Sequence, residues 1–480
     1  MTMRTTRPVL TVREQSDIDA IEAHPYDEVV PARNLYDLFR ATAATGGDRP
    51  ALTVIDAPES SRVALFLTHA ELLAEITRAA NTFHALGLRP GSGVAAFLAP
   101  TAPLLPVLML GAQVAGMAAS INYLLSEDAI ADLLRAQNAT ILIVPDRALD
   151  AACWAKAERL MEAVPSLAEI LVIGDSTENR PGHRLVAPLL DQHRSDTLDF
   201  DPAQERDTVC ALFHTGGTTG HPKVVQLTHG NQIHAAFGFA QVFGYDETDC
   251  VINGFPFFHV GGTITVGLSV LAAGAHMIVP SRYALRPPEV VAGYWDLVSR
   301  FGATIVNGVP TSIGAITASF PEQGDVSTVR MALTGGAILP AAVGERFTRT
   351  TGIKIYETYG MTETAAAIVR ARQAQRRRTT GRGVPGHPGL FAPGVDRRAV
   401  HRTGGHHPVV GVHDRRCLPA AAFETRHRDV ADFTLGAVPV RQQDRLADPD
   451  AVGLAAIAGA GVELAFGMLA LGIEGRGAQG

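Results

Sequence analysis

The 480-residue sequence predicts an α/β protein of two layered subdomains, and three observations carry that prediction. Short apolar strand-like runs alternate with helix-length stretches, the pattern of parallel sheets covered by helices. The length exceeds what one hydrophobic core usually supports, so more than one set of layers is expected. Hydrophobic residues make up 46% of the chain and charged residues 19%, a packed composition that excludes wholesale disorder.

The elements follow in chain order. Residues 1–50 read as an irregular lead-in with a short helix over 35–44. From 65 to 86 the apolar spacing is helical. Thr68 stands as its N-cap, Glu71 three residues on as the capping-box partner, and Gly87 ends it. A strand over 94–98, a helix over 103–118, a strand over 119–121, a helix over 127–137 and a strand over 140–144 continue a first subdomain, 51–207. Its last stretch, 191–207, is rich in Asp and Arg. A second subdomain, 208–366, has strand-like runs at 210–213, 250–254, 276–278, 304–306, 331–334 and 353–356. No internal repeat stands out.

The bulk charge narrows the partners. A net charge of −7 gives no electrostatic reason to expect nucleic acid. Cys153, Cys210, Cys250 and Cys417 lie far apart with no C-x-x-C pair, which suits a reducing compartment and argues against a disulfide framework or a zinc site. Glu14, Asp17 and Asp19 fall where a signal peptide needs its apolar stretch. The apolar run 451–473 carries Glu463 in its middle, against a membrane span. A cytoplasmic enzyme without stable membrane insertion is the expectation.

One segment concentrates the chemistry. A buried strand feeds Thr215, Gly216, Gly217, Thr218, Thr219 and Gly220, and His221-Pro222 lead to Lys223. Glycines let backbone N–H groups surround phosphate oxygens, threonine hydroxyls add donors, and the lysine brings a mobile positive charge. A shorter Gly/Thr stretch would read as a surface turn; here strand, glycines, threonines and Pro-Lys coincide. The spacing is not that of a Walker A loop, because His-Pro intervenes between Gly220 and the lysine.

These residues resemble the phosphate loop of the adenylate-forming superfamily, which includes acyl-CoA synthetases, aryl-CoA ligases, peptide-synthetase adenylation domains and firefly-type luciferases. That loop reads roughly [ST]-[SG]-G-[ST]-T-G-x-P-K-G. Gly216 stands where many members carry a hydroxyl, and Val224 replaces the glycine after the lysine. The first change removes a phosphate donor and the second stiffens the turn beyond Lys223; a cradle made mostly of backbone accommodates both.

Further segments resemble the same family. Glu357-Thr358-Tyr359-Gly360-Met361-Thr362-Glu363 is similar to its Y-G-x-T-E motif. The resemblance implies that Tyr359 stacks on adenine, Thr362 binds the α-phosphate and Glu363 holds Mg²⁺, beside Lys223 on the phosphates. Gly335-Gly336-Ala337 resembles the turn that floors the nucleotide and acyl pockets, although a plain tight turn looks the same. His259, in Phe255-Pro256-Phe257-Phe258-His259, resembles the residue brought to the carboxylate; the alternative is a core histidine. Val309 belongs to Asn307-Gly308-Val309-Pro310-Thr311, whose family counterpart walls the acyl channel. The implied fold is the family's large N-terminal domain over about residues 30–366, two layered α/β subdomains with a small β-barrel part.

The implied function is ATP-dependent activation of a fatty or other aliphatic acid to acyl-AMP and then acyl-CoA, with ATP, Mg²⁺ and coenzyme A. The alternatives are a catalytically defective nucleotide-binding remnant, or an adenylation domain that loads a carrier protein. Family members continue into a mobile C-terminal domain with a T-G-D segment, a hinge and a terminal lysine. None of these follows Glu363, and no lysine follows Lys354. Instead 367–480 is rich in Arg, Gly, Ala and His, the composition of GC-rich DNA read out of frame, and is expected to fold poorly. The prediction is that resequencing codons 360–480 finds a second frame encoding T-G-D, the hinge and the lysine; finding none in any frame would sink the frameshift.

Overall fold

The computed structural model describes residue 12 and residues 15–57, 62–215, 223–321 and 325–372. Three helices, Gln15–Glu22, Tyr26–Val29 and Leu35–Gly46, lead into a hairpin of β1 (Pro50–Ala57) and β2 (Arg62–Thr68). Next come β3 (Val94–Phe97), β4 (Met117–Ser120), β5 (Ile141–Pro145), β6 (Glu169–Ile173) and β7 (His183–Leu185). A second hairpin follows, β8 (Val209–Thr215) with β9 (Lys223–Thr228). The chain then forms β10 (Cys250–Ile252), β11 (His276–Val279), β12 (Ile305–Gly308), β13 (Met331–Thr334), β14 (Ile355–Gly360) and β15 (Ala367–Arg372).

Two open sheets result. One has the order β7-β6-β5-β3-β4-β8-β9 and the other β15-β14-β13-β12-β10-β11-β1-β2. Their inner strands are parallel and fully buried, as Val94–Phe97 and Ile141–Pro145 show, and parallel strands need cover on both faces. The cover comes from helices such as His69–Ala85 and Leu105–Ala115, the second buried along nearly its whole length. The small barrel expected beside the sheets has no counterpart among the described residues.

The sheet orders reveal a topological repeat that the sequence does not display. A hairpin, a helix and five strands occur twice: β1–β2 with β3 to β7, then β8–β9 with β10 to β14. Each hairpin completes the sheet of the other half. The sequence boundary at 207/208 therefore does not separate the sheets, because β1 and β2 belong to the second and β8 and β9 to the first. Asn81, on the helix after β2, ties down the stretch rich in Asp and Arg: its side chain donates to the carbonyls of Arg194 and Thr197 and accepts from the Asp199 amide.

Local chemistry starts both helices that follow the hairpins in the same way. Thr68 accepts from the Glu71 amide at 3.3 Å while the Glu71 carboxylate accepts from the Thr68 amide at 2.8 Å. Thr228 and Asn231 make the equivalent reciprocal pair, both at 3.1 Å. The first capping box lies where the sequence puts it, but 65–67, expected to be helical, belong to β2. Pairing with β1 wins there, since the cap sets the first helical residue at His69.

The sequence boundary at 366/367 falls at the start of β15, which pairs antiparallel with β14. Residues 373–480, the rest of the expected tail with Cys417 and the 451–473 run, lie outside the described residues. Among the described residues no helix is long and apolar enough to cross a membrane, and Cys153, Cys210 and Cys250 are buried free thiols.

His69 and His229, the first residues of the two capped helices, are 1% and 2% exposed. Burial above all pushes both rings from the ordinary 6.5 down to about 4. Above pH 6.5 both folded and unfolded chains hold them neutral, and nothing is lost. As pH falls toward 4 the unfolded chain takes up protons that the folded chain refuses, so stability drops, by roughly 2 kcal/mol per ring at pH 5. Urea midpoints at pH 7.5 and 5.0 test this: the midpoint should fall, and less so in His229→Gln.

Candidate functional site

The second sheet contains a reversal of strand order. From β10 the chain steps to β11 on one side, then crosses back to β12 on the other, with all three strands parallel. Crevices at the carboxyl ends of strands flanking such a reversal are where open α/β sheets bind ligands. Asn307, fully buried at the end of β12, bridges this one. Its amide donates to the Ile252 carbonyl at 2.5 Å and its oxygen accepts from the Gly254 amide at 2.8 Å. Asn253 does similar work one residue earlier: its amide donates to the Gly262 carbonyl at 2.8 Å and its oxygen accepts from the Phe255 amide at 3.1 Å.

A cavity of about 420 Å³ opens at these strand ends. Its walls come from the segment after β10 (Phe255, His259), the turn after β12 (Val309), the turn after β13 (Gly335, Gly336, Ala337) and the strand β14 (Thr358, Gly360) with Met361 just beyond it. The helices Pro310–Ala318 and Ala341–Thr351 add Gly314 and Val343, and Ile338 and Pro340 stand between. Among the described residues no Asp, Glu, Lys or Arg lines it. Burying an unpaired charge there would be costly, so the walls suit an uncharged, mostly apolar ligand group.

His259 stands two residues before a π-helix, Gly261–Leu268, a rare wide turn that is frequent at functional sites. Its Nδ1 accepts from the Gly261 amide at 3.0 Å, so the neutral ring carries its proton on Nε2. Burial lowers its pKa below the ordinary histidine value, which keeps that neutral form. His214, at the end of β8, accepts at Nε2 from the Asn122 amide at 3.0 Å. Burial first, then the proximity of His259, pushes it down to about 4.

The turn after β14 sits against the first sheet. Both β8 and β9 contact the 3₁₀ turn Thr362–Thr364. Thr215 and Lys223 face each other as the last pair of the β8–β9 ladder, with Lys223 exposed. Gly216, Gly217, Thr218, Thr219 and Gly220 lie outside the described residues, so only the loop's two ends are located, on the two strands that contact this turn. Thr362 is buried and Glu363 exposed. Among the described residues no group of three or more His, Cys, Asp or Glu could hold a metal ion. Glu363 is thus a single hard carboxylate, which fits a Mg²⁺ ligated mainly by phosphate oxygens and water.

The other motif residues divide between ligand wall and scaffold. Glu357 accepts from the Leu339 amide at 3.0 Å, which fixes the turn that carries Gly335 to Ile338. Thr358 donates to the Thr334 carbonyl at 3.0 Å and also lines the cavity. Tyr359 is 59% exposed, with its ring outside the cavity wall. Sequence reasoning missed the roles of Asn253, Asn307 and His214, and it missed Gly314, Ile338 and Val343 altogether. Asparagines at the ends of apolar strands are the one signal that pointed to the first two.

The architecture is thus a pair of interleaved α/β halves with an apolar cavity at the strand-order reversal of the second sheet. Residues 39–397 match the family described as AMP-binding enzyme, and the chain belongs to that family. Marinolic acid–CoA ligase of Pseudoalteromonas sp. (strain SANK 73390) is 27% identical over 397 residues, covering 81% of this chain and 59% of that protein. The anthranilate CoA ligase AuaEII, solved with anthranoyl-AMP, superimposes with a TM-score of 0.62 at 23% identity, over 73% of this chain and 63% of that one. The inhibitor-bound N-terminal domain of FACL13 from Mycobacterium tuberculosis gives 0.61 at 21% identity, over 72% and 81%. The chain thus spans about 59% of the length of the first of these relatives.

Gly335 offers a direct test of the cavity floor. A Cβ there would lie 2.4 Å from Thr358 Oγ1, which cannot retreat without leaving the Thr334 carbonyl. Gly336, next to it, has φ +81°, a conformation glycine adopts without strain. Gly335→Ala should destabilise the domain by about 1–3 kcal/mol in urea unfolding; an unchanged midpoint would mean that the floor is not packed this way.

Proposed function

We propose that this chain is the ATP- and acid-binding domain of an acid–thiol ligase that activates a fatty or other aliphatic carboxylic acid. The observation that carries the reading is the uncharged cavity at the strand-order reversal, with β8 and β9, the strands that flank the Gly/Thr loop, in contact with the turn after β14. A ligand's acyl chain suits the apolar walls, and its carboxylate suits the one imidazole among them.

In the proposed reaction a carboxylate oxygen attacks the α-phosphorus of ATP. The bond to the bridging oxygen breaks, pyrophosphate leaves, and an acyl-AMP anhydride remains. Coenzyme A thiolate then attacks the acyl carbon and AMP departs. His259 orients the acid by donating from Nε2; held neutral with Nδ1 occupied, it is a donor and not a base. The loop from Thr215 to Lys223 takes the β- and γ-phosphates through backbone N–H groups and the lysine ammonium. Thr362 offers its hydroxyl to the α-phosphate, and Gly335 to Ala337 with Tyr359 hold the adenine. Glu363 would hold Mg²⁺, which neutralises phosphate charge when bound. The absence of any charged wall residue among those described favours an aliphatic acid over an amino acid, whose ammonium group needs a carboxylate.

The test is acid-dependent exchange of labelled pyrophosphate into ATP by the full chain, with octanoate, benzoate and alanine as acids. Octanoate should stimulate exchange at least about tenfold over no acid and alanine not at all, and His259→Ala should lower it by roughly 10²-fold. ATP binding without exchange would support the remnant reading, and exchange with alanine would overturn the assignment of acid class.

A further inference from the structure

Residues 361–366 form the loop of the β14–β15 hairpin, closed by the pair Gly360 and Ala367. Both legs face the cavity, which is lined by Gly360 and Met361 on one side and Ala366 and Ala367 on the other. The tip of the loop is the 3₁₀ turn Thr362–Thr364, which touches β8 and β9. One side chain spans the neck. The Thr364 hydroxyl accepts from the Met361 amide at 3.1 Å, and its proton is shared between the Met361 and Ala366 carbonyls, both at 2.9 Å.

The loop needs such a tie. The legs approach so closely at Gly360 that a Cβ would lie 2.3 Å from the Ala366 carbonyl oxygen. The turn also forces Ala365 to φ +65°, a left-handed conformation that costs an L-residue free energy and persists only when its surroundings hold it. Without the hydroxyl, the Met361 amide loses its partner inside the loop, and the strained residue is free to relax.

We propose that Thr364 is a positioning residue. Its hydroxyl clamps the two legs of the loop so that Thr362 and Glu363 are presented to the nucleotide from the turn that contacts β8 and β9. The inference rests on the ligase reading for its ligand, and on the hairpin geometry for the clamp.

The experiment compares Thr364→Val and Thr364→Ser with wild type in the full chain. The valine keeps the shape and removes the hydroxyl; the serine keeps the hydroxyl. Amide hydrogen exchange over 361–366 is followed without ligand, and ATP affinity is measured by calorimetry in Mg²⁺ and in EDTA. The expected result is faster exchange in the valine variant alone, with about a tenfold loss of ATP affinity in Mg²⁺ and a smaller loss in EDTA. Serine should restore both. Wild-type exchange in the valine variant, or a serine variant as impaired as the valine, overturns the clamp. Faster exchange with unchanged ATP affinity makes Thr364 a structural tie only and overturns its positioning role. If wild type itself binds no ATP, the ligase reading falls, and the clamp is judged by exchange alone.

Discussion

The site depends on one buried asparagine at a place where a parallel sheet divides. Strand order reverses between β10 and β12, so the segments leaving those strands diverge and cannot satisfy one another's backbone groups. Asn307 supplies what the ladder cannot, a donor to one strand end and an acceptor for the amide just past it. Both atoms are sealed from water, where an unpaired polar group costs about as much as a lost hydrogen bond. The crevice is therefore held open at a set width, and the walls that follow β10, β12 and β13 diverge from that point.

The topological repeat sets a second crevice beside the first for comparison. The first sheet has the same reversal, between β3 and β5. There the segment after β11 bridges the segments that follow β3 and β5. The Arg282 carbonyl accepts from the Thr101 amide at 2.8 Å, the Arg282 guanidinium donates to the Leu149 carbonyl at 2.9 Å, and the Tyr283 hydroxyl donates to Asp150 at 2.8 Å. Two related architectures thus differ through a few groups: one crevice is crossed by these polar contacts, and the other keeps glycines and small residues in its cavity wall. The exchange of hairpins adds the second half of the arrangement, since it carries β8 and β9 into the first sheet and brings them against the turn of the second.

Charge is distributed in keeping with this geometry. Among the described residues the cavity has no ionised wall, and its one titratable side chain is an imidazole that burial keeps neutral. Lys223 and Glu363, which the ligase reading gives to the phosphates and their cation, stay exposed. Ions that must meet phosphate and Mg²⁺ remain hydrated until a ligand arrives, and the apolar part of the site avoids the penalty of desolvating them.

How much of this was legible beforehand follows from the range of each interaction. Local sequence marks out the strands β8, β10, β11, β12 and β13, the capping box at Thr68 and Glu71, and the motif segments, because each depends on residues close together in the chain. Gly335, Gly336, Val309 and His259 could be named from such segments, and they line one cavity. Edge strands β2 and β9 escaped notice, since their half-buried patterns take meaning only from the partner strand. The exchange of hairpins, the contacts across the first crevice and the wall of Gly314, Ile338 and Val343 come from tertiary structure, whereas the Thr364 tie is local but lies in a loop that no periodic pattern marks. Which strand lies next to which is settled by contacts between residues up to hundreds of positions apart, and nothing in local periodicity encodes them.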